Sequence, residues 1–125
     1  MEKISFDDFT KVELRTARVL EAVPHPDADR LYLLQLEGGP APSQDDSESE
    51  GASEPGPERR QIVAGVRDHY SPEDLVGRTI VVVWNLKPAV IRGQESQGML
   101  LAVSDGDTVS ILGPDKPISP GCRVS

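Results

Sequence analysis

Alternation of apolar and polar residues recurs along this chain and predicts a series of β-strands. Residues 12–23 alternate as far as Val19 and predict a long, half-exposed first strand. A strand of this length often contains a β-bulge, which changes the face that the following side chains occupy. Shorter apolar stretches predict further strands at residues 31–36, 60–66, 79–84, 99–103 and 108–112.

Two short helical turns are predicted from their capping residues. Ser5 can cap the first turn, and Asp8 three residues later completes a variant of the capping box. Phe6 and Phe9 can share one face of this turn, so we expect them to fasten it to the body of the domain. The second turn, residues 71–77, has a serine cap, a proline at the first helical position and a glycine at its end.

The order of these elements indicates a small closed barrel. An OB-fold has five strands and a helix between the third and fourth of them. Residues 113–121 contain three prolines, which exclude a helix there. We therefore expect an all-β fold with a single domain over residues 1–125. It is a five-stranded OB-fold barrel with a short helix between strands 3 and 4 and an extended C-terminal tail.

Charge is distributed unevenly along the chain. The net charge of −8 over 125 residues argues against a nucleic-acid partner. However, residues 38–58 hold six of the acidic residues and no lysine or arginine, and they are rich in Gly, Pro and Ser. This composition predicts an acidic, disordered loop inserted between two strands. The remaining 15 acidic and 13 basic residues carry a net charge of only −2, which leaves room for a basic face.

Several features predict a cytoplasmic protein. The single cysteine, Cys122, excludes an internal disulfide and fits a reducing compartment. No apolar run approaches the roughly 20 residues that a membrane span needs. The first residues show no signal-peptide pattern. We therefore expect no membrane association.

The candidates for catalysis or metal binding are weak. His25, Asp27 and Asp29 could ligate a metal, but a turn in which the two aspartates accept backbone hydrogen bonds explains them better. His69 follows Asp68, yet no serine or cysteine nucleophile lies in a recognisable motif. We expect no catalytic residue, no metal and no cofactor, and a small hydrolase has no supporting constellation of residues.

The polar segment between the fourth and fifth predicted strands favours binding. A polar loop held by rigid strands is a common binding surface. Arg59, Arg60 and Arg67 flank the third strand and could add phosphate contacts, or they could be an ordinary solvated surface. Trp84 either packs in the interior or offers its ring to a nucleobase. The polar residues of the segment are Asn85, Lys87, Arg92, Glu95, Ser96 and Gln97.

Five sequence motifs together resemble the tRNA-binding OB domain. This domain occurs at the C-terminus of methionyl-tRNA synthetase, in the endothelial monocyte-activating polypeptide and in small free-standing proteins. The resemblance covers nearly the whole chain except residues 38–58. The motifs are His25-Pro26-x-Ala28-Asp29-x-Leu31, Arg60-Gln61-Ile62-Val63-Ala64-Gly65-Val66, Leu75-Val76-Gly77-Arg78, Asn85-Leu86-Lys87-Pro88 and Glu95-Ser96-Gln97-Gly98-Met99-Leu100-Leu101-Ala102.

The resemblance implies a non-catalytic module that binds tRNA by its shape. Such a module is free-standing or is an auxiliary subunit of an aminoacyl-tRNA synthetase, with the methionyl type favoured. Free-standing members resemble homodimers, so a homodimer is expected. The alternative is a dimeric export-type chaperone that binds unfolded peptide segments. The expected RNA-binding residues are Asn85, Lys87, Arg92, Ser96, Gln97, Arg60 and Arg67, and Pro88, Gly98 and Met99 are expected to serve the structure of the motif.

Overall fold

The computed structural model describes residues 1–39 and 58–125, and strands form most of the regular structure in these two ranges. The expected acidic insertion, residues 38–58, lies outside the described residues apart from its first two residues and its last. The two helices are α1, Phe6–Phe9, and α2, Pro72–Leu75. The strands are β1 Leu14–Pro24, β2 Tyr32–Glu37, β3 Arg59–Ala64, β4 Thr79–Val83, β5 Ala89–Ile91, β6 Gln94–Ser96, β7 Met99–Leu100, β8 Ala102–Asp105, β9 Thr108–Ile111 and β10 Arg123–Val124.

The main sheet is antiparallel and nearly closes on itself. Its order is β3-β2-β1-β4-β7, and β10 pairs with β1. The free edge of β3 is covered by the end of β6, where the Gln97 N–H donates to the Gln61 carbonyl at 2.8 Å. The Ser96 hydroxyl accepts from the Val63 N–H at 2.9 Å. The expected five-stranded, OB-fold-like barrel with a short helix between β3 and β4 is therefore confirmed.

Strand β1 joins the two halves of the barrel. Its first part pairs with β4 and its second part with β2, and the β2 register shifts between Val19 and Glu21. This shift is the β-bulge expected in a long strand, and it increases the local twist. The core lies inside the curve of the sheet. The largest fully buried side chains are Leu34, Leu36, Ile62, Leu75, Ile80, Val19 and Val82.

The helix between β3 and β4 begins as its capping residues predict, and it ends at Leu75, within the predicted range 71–77. The Asp74 carboxylate accepts from both the N–H and the hydroxyl of Ser71, at 3.2 and 3.0 Å. Pro72 occupies the first helical position. The fully buried side chain of Leu75 attaches this single turn to the core.

The first helix departs from its prediction in one respect. The Ser5 hydroxyl caps α1 by accepting from the Asp8 N–H at 3.1 Å, as expected. The expectation that Phe6 and Phe9 fasten this turn to the domain is wrong, because the two residues are 76% and 41% exposed. Their spacing predicts a shared face but does not determine that this face points away from the barrel.

Two regions are more structured than their sequence predicts. The polar segment after β4 is a β5–β6 hairpin, and its two-residue turn is Arg92-Gly93 with φ of 53° and 87°. Positive φ at both central residues matches the twist of antiparallel strands.

The predicted strand 99–103 divides into β7 and β8. The C-terminal tail contains no helix, and its end returns to pair with β1 as β10.

Neither helix in the described ranges has the length and apolar character that crossing a membrane requires.

Candidate functional site

The β5–β6 hairpin rests on β3 through the polar side chains of its second strand. The Ser96 side chain is buried, and its hydroxyl donates to the Gly98 carbonyl at 2.9 Å as well as accepting from β3. The Gln97 Oε1 accepts from the Gln61 N–H at 3.0 Å, and the Gln61 amide donates to the Glu95 carbonyl at 2.9 Å. These bonds fix the position of the hairpin because they satisfy backbone groups along the edge of β3.

Asn85 fastens the start of the polar segment to the chain before β1. Its Oδ1 accepts from the Glu13 N–H at 2.8 Å, and its Nδ2 donates to the Lys11 carbonyl at 2.6 Å. The neighbouring Trp84 N–H donates to the Glu13 carbonyl at 2.7 Å. Both ends of the Asn85 amide are therefore occupied by backbone groups more than 70 residues earlier in the sequence.

Trp84 is an interior residue that lies against two arginines. The residue is 3% exposed, and the Arg60 and Arg15 guanidinium carbons lie 4.0 Å and 5.0 Å from the centre of its ring. A side chain at Gly38 would collide with the indole, so this residue must be a glycine or the ring must move. Of the two readings of Trp84, packing is confirmed, and a ring so covered cannot stack on a nucleobase.

Arg60 is bound within the protein on all sides of its guanidinium. Its Nε and Nη2 each lie 3.1 Å from Glu58 Oε2. Its Nη1 donates to the Trp84 carbonyl and, at 3.3 Å, to the Gln97 carbonyl. Arg60 thus joins β3 to both ends of the polar segment.

Two carboxylates balance the two arginines beside Trp84. The Arg15 side chain is buried and pairs with Glu13. Its Nη1 lies 3.7 Å from Glu58, which is an ion-pair distance but too long for a hydrogen bond. The four charges sum to zero, so this cluster by itself presents no net charge to the surface.

A recess of about 430 Å³ opens between β3 and the start of the polar segment. Lys87 and Arg59 lie at this recess with exposed side chains and have no ion-pair partner in the described part of the chain. Pro88 also lies here. Arg59 precedes Arg60 on β3 and is exposed, whereas Arg60 is partly buried. Other lining residues are Glu58, Arg60, Trp84, Asn85, Leu86 and Gln97.

Arg92 and Arg67 lie apart from this recess, at the turn that follows β1. The Arg92 Nη2 donates to the Asp27 carbonyl at 2.7 Å, and the Arg67 Nη1 donates to the Ala28 carbonyl at 3.4 Å. Arg67 also lies over the Tyr32 ring at 6.0 Å. The structure therefore brings Arg60, Asn85, Lys87 and Gln97 together at one recess and places Arg92 and Arg67 at a second position.

Both ring nitrogens of His25 are occupied by backbone groups. The Nδ1 accepts from the Asp27 N–H at 2.9 Å, so the proton lies on Nε2, which donates to the Ile91 carbonyl at 3.2 Å. The histidine therefore holds the turn against β5 and offers no lone pair to a metal. The described residues contain no group of three or more His, Cys, Asp or Glu side chains suited to a metal ion.

Gly98 and Met99 follow the hairpin and have different surroundings. Gly98 lies very close to the backbone of β4. A Cβ at this position would be 2.9 Å from the Val83 carbonyl oxygen, so the position requires glycine. The Met99 side chain is 48% exposed. Gly98 therefore serves the fold, while Met99 leaves an apolar surface beside the hairpin.

Comparison with known proteins gives three kinds of similarity. Residues 54–123 match the family model described as "Putative tRNA binding domain". The methionine–tRNA ligase of Thermotoga maritima is 48% identical over 122 residues, covering 98% of this chain, and that of Thermococcus kodakarensis is 42% identical over 124 residues, covering 99%. The chain spans only 17% and 14% of the lengths of these two ligases.

Solved structures show the same architecture. A protein from Pyrococcus horikoshii described as MetRS-related superposes with a TM-score of 0.80 at 29% identity, covering 100% of both chains. The CsaA chaperone of Bacillus anthracis superposes with a TM-score of 0.77 at 26% identity, covering 99% of this chain and 100% of that one.

Proposed function

Because the chain belongs to the family of tRNA-binding domains, we propose that the recess between β3 and the polar segment binds the phosphate backbone of folded tRNA. The observation that supports this most directly is the pair of exposed cations, Lys87 and Arg59, at a recess held rigid by its surroundings. A preorganised cationic surface binds polyanions without a large ordering cost. The proposed activity is binding alone, without catalysis.

The proposal divides the expected RNA-binding residues by role. Lys87 contacts phosphate directly, with Arg59 as an added contact. Arg92 and Arg67 use only some of their N–H groups on the 25–29 turn, so their remaining donors are available to a neighbouring stretch of RNA.

The other expected RNA-binding residues hold the interface in place. Ser96 is buried, and the side-chain amide of Asn85 is taken by backbone groups. Arg60 and Gln97 connect the polar segment to β3. Each of these four therefore supports the position of Lys87 rather than providing a main RNA contact.

The absence of an exposed aromatic ring from the described residues that line the recess supports the proposal that tRNA is recognised by its shape. Sequence-tolerant binding of single strands uses exposed aromatic rings as stacking platforms. The one aromatic side chain lining this recess, Trp84, is buried between two arginines. Cations and neutral polar groups can contact phosphates and 2′-hydroxyls of a folded duplex, which is how structured RNA is commonly recognised.

Binding of labelled tRNA across a range of salt concentrations tests the proposal. Lys87→Ala should weaken binding by about 1–2 kcal/mol and reduce the salt slope by roughly one phosphate contact. Lys3→Ala removes another exposed lysine, from the N-terminal segment, and should change little. Unchanged affinity of Lys87→Ala at low salt would remove this residue from the interface. Efficient competition by unrelated single-stranded RNA would contradict recognition by shape.

We also propose that the domain is a homodimer in the cytoplasm, either free-standing or associated with a synthetase of the methionyl type. Four exposed apolar side chains near the N-terminus support a self-contact: Ile4, Phe6, Phe9 and Val12. Replacing both phenylalanines by serine should then yield monomers in analytical ultracentrifugation. A dimer would present two recesses to one tRNA and gain avidity from this.

A peptide-binding function is the second candidate, and its specific support is the structural similarity to the CsaA chaperone. The same dimer could hold an extended segment against the exposed Met99 and Val90 side chains. An unfolded peptide added as competitor in the tRNA assay distinguishes the two functions. Peptide binding without tRNA binding would favour the chaperone.

A further inference from the structure

A second recess, of about 580 Å³, lies at the end of β4 opposite Trp84. It is formed where the loop before β4 meets the chain after β9. Three cationic side chains line it, those of Arg18, Arg78 and Lys116. None of its lining residues is acidic, although the chain as a whole carries an excess of acid.

Backbone hydrogen bonds hold the two arginines side by side. The Val19 N–H donates to the Arg78 carbonyl at 2.9 Å, and the Gly77 N–H donates to the Val19 carbonyl at 2.8 Å. These bonds fasten the loop to β1 immediately beside Arg18. The wall on the other side is equally constrained, because a Cβ at Gly113 would lie 2.6 Å from the Thr79 carbonyl oxygen.

The guanidinium groups in this recess retain unused donors. Arg78 donates from Nε to the Asp74 carbonyl at 3.2 Å and lies over the Tyr70 ring at 5.4 Å, which fixes one edge of its side chain. Within the described residues, Arg18 and Lys116 have no side-chain hydrogen bond and no carboxylate within ion-pair distance. Glu37 is the β2 register partner of Arg18, yet it forms no ion pair with it.

We propose that this recess is a second phosphate-binding site, distinct from the one at Lys87. Like charges held together without a counter-ion in the protein favour an external anion. Guanidinium donors match the geometry of phosphate oxygens. The length of β4 separates the two recesses by about 13 Å, so the backbone of a single folded tRNA can reach both.

The test uses Lys116→Gln and the double variant Arg18→Gln/Arg78→Gln, with Lys3→Gln as the matched control. Two quantities are measured for each variant: tRNA affinity across salt, and the rise in melting temperature caused by inorganic tripolyphosphate. Lys116 is exposed, so its substitution keeps the test valid if the double variant fails to fold. We expect Lys116→Gln to lose about threefold to tenfold in tRNA affinity and about one unit of salt slope.

The two measurements separate the sources of the phosphate. Loss of both tRNA affinity and tripolyphosphate protection assigns the site to the RNA backbone. Loss of protection alone assigns it to a free phosphate compound. Retention of both in Lys116→Gln overturns the proposal, and Lys87→Ala measured in parallel shows whether the proposed tRNA binding still stands. If the unmodified protein binds no tRNA, the tripolyphosphate measurement still shows whether this recess binds phosphate.

Discussion

The negative charge of Glu58 offsets part of the positive charge of the proposed RNA interface. Removing this negative charge should therefore strengthen tRNA binding. Its carboxylate lies 3.1 Å from both Nε and Nη2 of Arg60, and it also faces Arg15. Glu58→Gln removes the negative charge but keeps an oxygen that Arg60 can use. The Arg60 guanidinium would then add its charge to that of Lys87 at the same recess.

The expected magnitude follows from the geometry. A phosphate in the recess about 8 Å from the carboxylate would be repelled by about 2 kcal/mol at an effective dielectric constant of ~20. The Glu58 side chain is 34% exposed, and solvent screening lowers this figure to about 1 kcal/mol. Glu58→Gln should therefore bind tRNA about fivefold more tightly and steepen the salt slope by somewhat less than one unit.

Fluorescence anisotropy of labelled tRNA, measured from about 50 to about 300 mM salt, gives both quantities. Glu95→Gln is the matched control, because Glu95 is exposed on the β5–β6 hairpin and its carboxylate contacts no arginine within the described ranges. An equal gain in both variants would show a general charge effect. No gain in Glu58→Gln would refute the reasoning that Arg60 is restrained by this carboxylate.

The remaining predictions concern stability. Ser96→Ala removes the buried acceptor of the Val63 N–H and should lower the free energy of unfolding in urea by about 1–3 kcal/mol; a value near zero would show that another group satisfies this donor. Replacing residues 40–57 by a short linker should preserve a cooperative thermal transition, because Glu58 already pairs with Gly38 and Gly39 through backbone hydrogen bonds of 2.8 and 2.9 Å. Loss of that transition would show that the proposed insertion contributes to the core.

The elements with local signals could be predicted closely. Helix α2 begins at Pro72 because a cap, a proline and acidic residues all act within four positions of each other. The strands of the barrel follow from alternation and from β-branched residues, and their order around one short helix indicates the barrel. Several motifs in the right order also indicate the family, and the match over residues 54–123 agrees with that resemblance.

The roles of individual polar residues depended on the tertiary structure. Asn85, Lys87 and Ser96 lie in one polar segment and look equally available in the sequence, yet only Lys87 is exposed without a partner in the described chain. The backbone N–H groups that donate to Asn85 and Ser96 lie 72 and 33 residues away. The tertiary structure also decided that Trp84 is buried and that Phe6 and Phe9 are exposed. It likewise placed Arg18 and Arg78 at one recess. The sequence by itself determined the strands, caps and motifs, because backbone preference acts over a few residues. Only the tertiary structure decided which polar side chains face solvent. The closed barrel leaves some backbone groups without a partner, and polar side chains that lie far away in the sequence turn inward to form hydrogen bonds with them.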